Sequence, residues 1–221
     1  DAGRALQAAT HAADESGDRE LSVWVRCYRA SNAFWENRPP QVVRSFLDDA
    51  LEHASETPSS ALARVFDIRA KFLAAQGDTA GAEKALQNLR ETFSHLPDHI
   101  TQDHISPLGF PESSLRQAEG FTHVMLGNAK RAIPTLEQAI TLTVKERSGT
   151  RTNLNLLLAL ALVHDRDITE GLNHAATTLN GMPTSSSRRR ITEEIIKALP
   201  DEKTRALPAA RELRALAASK T

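Results

Sequence analysis

The sequence predicts an all-α chain, a right-handed solenoid of helix pairs closed at its C-terminal end by a capping pair. Three observations predict it. Ala and Leu dominate while aromatics make up only 5% of the 221 residues, a composition that favours helix over strand. Small residues followed by apolar ones at i+4 and i+7 recur along the chain, which is the spacing of one helical face. The recurrence is periodic: the marker positions Ala5, Val43, Ala82, Ala132 and Gly171 are separated by 38, 39, 50 and 39 residues, and a fixed spacing on this scale is the signature of stacked repeats.

The elements follow in order. A partial first unit, about residues 1–18, carries the stripe Ala5, Ala9 and Ala12. The unit 20–56 has a first helix over 21–36, a break at Asn37-Arg38-Pro39-Pro40, and a second helix with Val43, Leu47 and Ala50 on one face. In the unit 60–96 the first helix spans 61–76, Gly77-Asp78 breaks it, and Ala82, Leu86 and Leu89 form the returning stripe. The unit 112–147 repeats this with a helix over 112–126, the break Gly127-Asn128, and the stripe Ala132, Leu136 and Ala139. The unit 151–182 has a helix over 152–163, a break at Asp165-Arg166-Asp167, and the stripe Gly171, Ala175 and Leu179.

Ala70, Gly120 and Ala159 each stand seven residues before the loop position, where the first helix must lie close to its partner. The long interval is one period plus an insertion, placed at 97–111, where three prolines and a glycine interrupt helix. Residues 187–219 supply the capping pair, broken at Pro200 and Pro208, that covers the last apolar face. All of this is expected within one repeat domain, 1–221.

Composition narrows the function. A formal net charge of −1 gives no electrostatic case for nucleic acid or an anionic membrane. Cys27 is the sole cysteine, which excludes an internal disulfide and suits a reducing cytoplasm. The longest apolar stretch, 154–163, is too short to span a bilayer, and no signal segment is visible. Asp1 falls directly in helical sequence, so a preceding segment is expected.

No enzyme is expected. There is no GxSxG elbow and no phosphate-binding glycine loop, and Cys27 lies mid-helix as a small apolar residue. The pairs Asp48-Asp49 and Glu193-Glu194 are adjacent on helices and so point apart. His95, Asp98, His99, Asp103 and His104 cluster in the insertion, but Leu96-Pro97 breaks the helical spacing a zinc pair would use. A solvated polar loop is expected there, with no metal and no cofactor. The basic run 184–190, TSSSRRR, reads as a serine helix cap followed by arginines placed four before Glu193 and Glu194.

The small residue followed by apolar ones at +4 and +7, paired with a small residue in the preceding helix, resembles the tetratricopeptide repeat. The period here is nearer 39 than 34, and most of that repeat's aromatic signature is missing. The segment 110–127, FPESSLRQAEGFTHVMLG, together with the alanine-rich helices and the ending 207–218, is similar to the C-terminal repeat regions of actinobacterial helix-turn-helix regulators. It departs at Gln117, where His is common, and at Gly120, where Ser is common.

These resemblances imply a ligand-sensing and dimerising regulatory region whose DNA contact belongs to an N-terminal domain outside this chain. They imply a small-molecule or peptide ligand, a homodimer and no membrane. The alternative is a scaffold that holds a partner peptide in its groove. In tetratricopeptide-type solenoids the first helix of each pair lines the inner face. Aligning Gly77 with Gly127 then nominates Arg64, Asp67 and Lys71 in one unit and Gln117, Phe121 and Val124 in the next. Tyr28, Asn32 and Trp35 are the counterparts in the first full unit, and Asn153 in the last. The competing reading makes Trp35 and Phe121 core, with Asp67 paired to Arg64 or Lys71.

Overall fold

A computed structural model describes residues 2–218. Among them every regular element is helical and no strand occurs. The chain divides into two compact units, Asp1–Pro111 and Glu112–Thr221, parting at the end of the expected insertion.

The first unit holds α1 (Ala2–Glu15), α2 (Arg19–Trp35), α3 (Pro40–His53), α4 (Ser60–Ala75), α5 (Thr79–Ser94) and the single turn α6 (Asp98–Thr101). Its most extensive contacts join α4 to α5 and α2 to α3, with α2 also against α4. The second unit holds α7 (Glu112–Met125), α8 (Ala129–Leu142), α9 (Ser148–His164), α10 (Ile168–Leu179), α11 (Ser186–Ala198), α12 (Glu202–Arg205) and α13 (Pro208–Ala218). Here α7 pairs with α8 and α9 with α10, while α11 packs on α9 and α13 on both α10 and α11.

One loop design joins each of the four hairpins. In every case the second residue after the first helix takes a left-handed backbone: Asn37 (φ 55°), Gly77 (φ 75°), Gly127 (φ 73°) and Arg166 (φ 74°). Its N–H bonds three residues back and the next N–H five back, as in Gly77 to Ala74 and Asp78 to Leu73. The same two bonds recur at Gly127 with Asn128, at Asn37 with Arg38 and at Arg166 with Asp167. This closure satisfies carbonyls the helix end leaves open. The second helix then starts from a side-chain cap: Asp78 accepts from Gly81 N–H, Asn128 from Arg131 N–H and Asp167 from Glu170 N–H. In α3, Pro40 occupies the first turn instead, where its missing N–H costs nothing.

The four full stripes are buried. Val43, Leu47 and Ala50 are enclosed, as are Ala82, Leu86 and Leu89, Ala132, Leu136 and Ala139, and Ala175 and Leu179. Two close approaches need glycine. A Cβ on Gly120 would meet Leu136 Cδ2 at 2.6 Å, and one on Gly171 would meet Val163 Cγ2 at 2.7 Å and the Ala159 carbonyl oxygen at 2.8 Å.

Pro134 lies inside α8 without ending it, and the expected stripe runs through it. Two details differ from the sequence expectation. α1 turns a neighbouring face inward, so that Thr10 and Ala13 are buried while Ala5 and Ala12 are exposed. The C-terminal region contains the extra turn α12, started by an Asp201–Thr204 capping box, between the two expected helices.

Candidate functional site

The candidate site is the side of the first unit where α2 and α4 meet. Asp18 caps α2 by accepting from Leu21 N–H, and Ser59 caps α4 by accepting from Leu62 N–H. These starts set the register that puts Arg64, Asp67 and Lys71 on one face of α4. Asp67 and Lys71 are 6% and 5% exposed, and Lys71 Nζ lies 2.7 Å from Asp67 Oδ1. Cys27 of α2 belongs to the same neighbourhood, since Arg64, Asp67 and Lys71 all act on it electrostatically. Burial pushes its thiol up to about 12, so no thiolate is present near neutrality.

The insertion folds back onto this side as a strap. Arg64 Nη2 donates to the Gly109 carbonyl at 2.6 Å, and its guanidinium sits 5.5 Å from the centre of the Phe110 ring. Trp24 Nε1 donates to the Pro107 carbonyl at 3.0 Å and stacks on Tyr28 with ring centroids 5.4 Å apart. Phe110 is fully buried and packs near Phe93, and its N–H bonds Ile100 O. The strap is also internally tied. Asp103 Oδ1 accepts from the N–H groups of Ile105 and Ser106, and Ser106 Oγ from Leu108 N–H. The solvated loop expected at 97–111 is thus corrected for its second half, which is anchored at Phe110 although Ile105 and Leu108 remain exposed.

The other nominated residues are placed as follows. Tyr28 is exposed. Asn32 donates to Glu36 Oε1 at 3.0 Å and lines a cleft of about 270 Å³ among α1, α2 and α3. Trp35 is half-buried with its ring edge on Phe34, centroids 5.0 Å apart. In the second unit Phe121 and Val124 are 2% and 0% exposed, Gln117 is half-buried, and Asn153 donates to Ser187 Oγ at 3.1 Å. The sequence reading missed Trp24 and the strap carbonyls. Trp24, four residues before Tyr28, was the available signal.

Other polar contacts join helices to one another. Arg26, 6% exposed, grips both oxygens of Asp14 at 2.7 and 3.0 Å and reaches Asp49 Oδ2 at 3.2 Å, tying α1 and α3 to α2. The hydrogen bond from Arg26, with a second from Ser22, holds the Asp14 carboxyl well below the usual carboxylate range. Arg19 donates to the carbonyls of His53 and Ala54 at the end of α3, and Arg151 to those of Ile140 and Thr143 at the end of α8. Asp48 faces Arg69 while Asp49 faces Arg26, so the adjacent carboxylates do point apart. Among the described residues no group of three or more His, Cys, Asp or Glu side chains is arranged to hold a metal ion. Nor, among them, is any helix long and apolar enough to cross a membrane.

Among the described residues the protein is all-helical and built from helix hairpins, and in its first unit the turn at 106–109 is held by Trp24 and Arg64. No family model, curated protein or solved structure matches the chain.

Proposed function

We propose that this chain is a binding and regulatory module of tetratricopeptide-like helix pairs, stacked as a right-handed solenoid. In this reading it is the ligand-sensing and dimerising part of a transcription regulator whose DNA contact lies in another domain. The observation that carries the binding role is the α2–α4 side of the first unit, where Trp24 and Arg64 donate to main-chain carbonyls beside the exposed Tyr28 ring. Side-chain donors aimed at carbonyls, with an aromatic surface beside them, suit a peptide or a small molecule with acceptor groups. Occupancy that favours one arrangement of the helices over another would bias an attached domain, in proportion to the ligand's differential affinity.

Binding at this side is tested by nuclear magnetic resonance, following the Trp24 indole N–H while a library of short peptides and polar aromatic compounds is added. Shifts at Trp24 and Tyr28 from some members support the role. Shifts confined to other surfaces refute it. The regulator assignment is tested separately: a helix-turn-helix encoded upstream of Asp1 supports it, and unrelated domains there favour the scaffold.

A further inference from the structure

The strap displays the chemistry of what this side of the unit takes. Pro107 and Gly109 offer their carbonyls to Trp24 and Arg64, and between them Leu108 points away, 51% exposed. Phe110 is the anchor, fully buried under the Arg64 guanidinium. The arrangement is that of a bound peptide, with main-chain acceptors met by fixed donors and one aromatic residue filling a pocket.

Building on the binding role proposed above, we propose that residues 106–111, SPLGFP, are an intramolecular pseudo-ligand. The partner they exclude is a turn-forming peptide of another protein, carrying a proline with an aromatic residue three positions later, since 106–109 is itself a turn closed by the Gly109 N–H on the Ser106 carbonyl. The strap and the partner compete for Trp24 and Arg64, so the affinity read in solution is reduced by the fraction of time the strap is seated.

Two observations bear on release of the strap. The side chains of Trp24 and Arg64 supply two of its long-range bonds, while Ile105 and Leu108 face solvent. His104, within it, has an enclosed Nδ1 with no hydrogen-bond partner among the described residues, and an enclosed ring nitrogen of this kind regains a partner when water is admitted. Its closed form also depends on Gly109, because a Cβ there would run into the Asp103 carbonyl oxygen and crowd the Asp103 Cβ at 2.8 Å.

The test uses the whole chain and a fluorescein-labelled, end-capped peptide of residues 106–111. Gly109→Ala should unseat the strap while α2 and α4 stay helical, and should bind the peptide at least tenfold more tightly than the unsubstituted chain. Adding Arg64→Met to that variant should abolish the gain. Equal affinity for the two chains, or a gain that survives Arg64→Met, overturns the proposal. So does a dimer that forms with the gain, since a second copy would then be the occupant.

Should Gly109→Ala lose its circular dichroism signal, hydrogen exchange on the unsubstituted chain decides. Amides of 105–110 should exchange at least tenfold faster than those of α2 and α4, and a single common rate overturns the proposal. Trp24 shifts caused by other compounds but not by this peptide reject the pseudo-ligand and leave the binding role standing. Silence of Trp24 to both removes the binding role itself.

Discussion

Replacing Gly171 by alanine tests the close packing on which the last hairpin depends. In most settings the change would help, because alanine is better than glycine in a helix interior by about 1 kcal/mol. Here the added Cβ falls 2.8 Å from the Ala159 carbonyl oxygen and 3.2 Å from Val163 N, both backbone atoms of α9, and 2.7 Å from Val163 Cγ2. Val163 and Ala159 are 2% and 0% exposed. Neither can retreat without moving α9 against α10. Overpacking of a filled core costs roughly 1–3 kcal/mol, and rigid backbone on one side of the contact places this site toward the upper end. The net expectation is a loss of about 1–2 kcal/mol, a drop in Tm of roughly 4–8 °C for a unit of about this size. Urea titration followed by circular dichroism reads it directly. A variant as stable as the parent, or more stable, would refute the claim that the hairpin needs this approach distance.

Arg166→Gly should do the reverse. Arg166 holds φ 74° where two of the three matching loops have glycine and the third has asparagine. Relief of about 1–2 kcal/mol of left-handed strain, less the added chain entropy of glycine, should raise stability by about 0.5–1 kcal/mol, and an unchanged urea midpoint would count against it. His164 should make the second unit sensitive to acid. Burial lowers its pKa below 6.5, outweighing a hydrogen bond to the Val124 backbone and the pull of Glu194. The unfolded chain then binds the proton first, so this contribution to stability is full above pH 6.5 and is lost as the pH falls through the folded value. Urea midpoints between pH 7.5 and 5 should fall more steeply for the parent than for His164→Gln, and parallel curves would show that the ring is not the cause.

The hairpins were legible because their punctuation is local. A glycine or asparagine in the left-handed position, an Asp or Asn cap and a small-apolar-apolar stripe lie within a dozen residues, and each acts through bonds inside that window. Even Arg166, the wrong residue for its backbone, sat where the period required it. What was not legible is non-local. Trp24 reaches a carbonyl 83 residues away and Arg64 one 45 away, and neither contact leaves a periodic trace. Phe121 and Val124 illustrate a second limit. A first helix packs against its hairpin partner and also against the next helix, so a small register error exchanges an open position for a core one. Pro134 lies within a stripe the spacing did predict: Ala132, Leu136 and Ala139 around it are 0% exposed, and that burial holds α8 together past a residue that would end an isolated helix.

Under the proposed binding role, the Asp67–Lys71 pair would tie stability to recognition. Both side chains are nearly enclosed, at 9% and 6% of their free exposure, with 2.7 Å between the charges. Removing Lys71 leaves Asp67 buried without the charge 2.7 Å away, so Lys71→Met should cost about 3–5 kcal/mol. Removing both is different. Asp67→Leu with Lys71→Met keeps the volume and takes away the desolvation cost, and such replacements are commonly neutral or stabilising by about 1–4 kcal/mol. If urea unfolding returns that pattern, the fold does not require the pair. What remains for it is to set the electrostatic surroundings of Arg64, one turn earlier on the same face of α4. The double variant should then keep its stability and lose affinity for the strap peptide when combined with Gly109→Ala. A double variant that is stable and binds undiminished would leave the pair without a part in recognition, and one that unfolds would return it to the core.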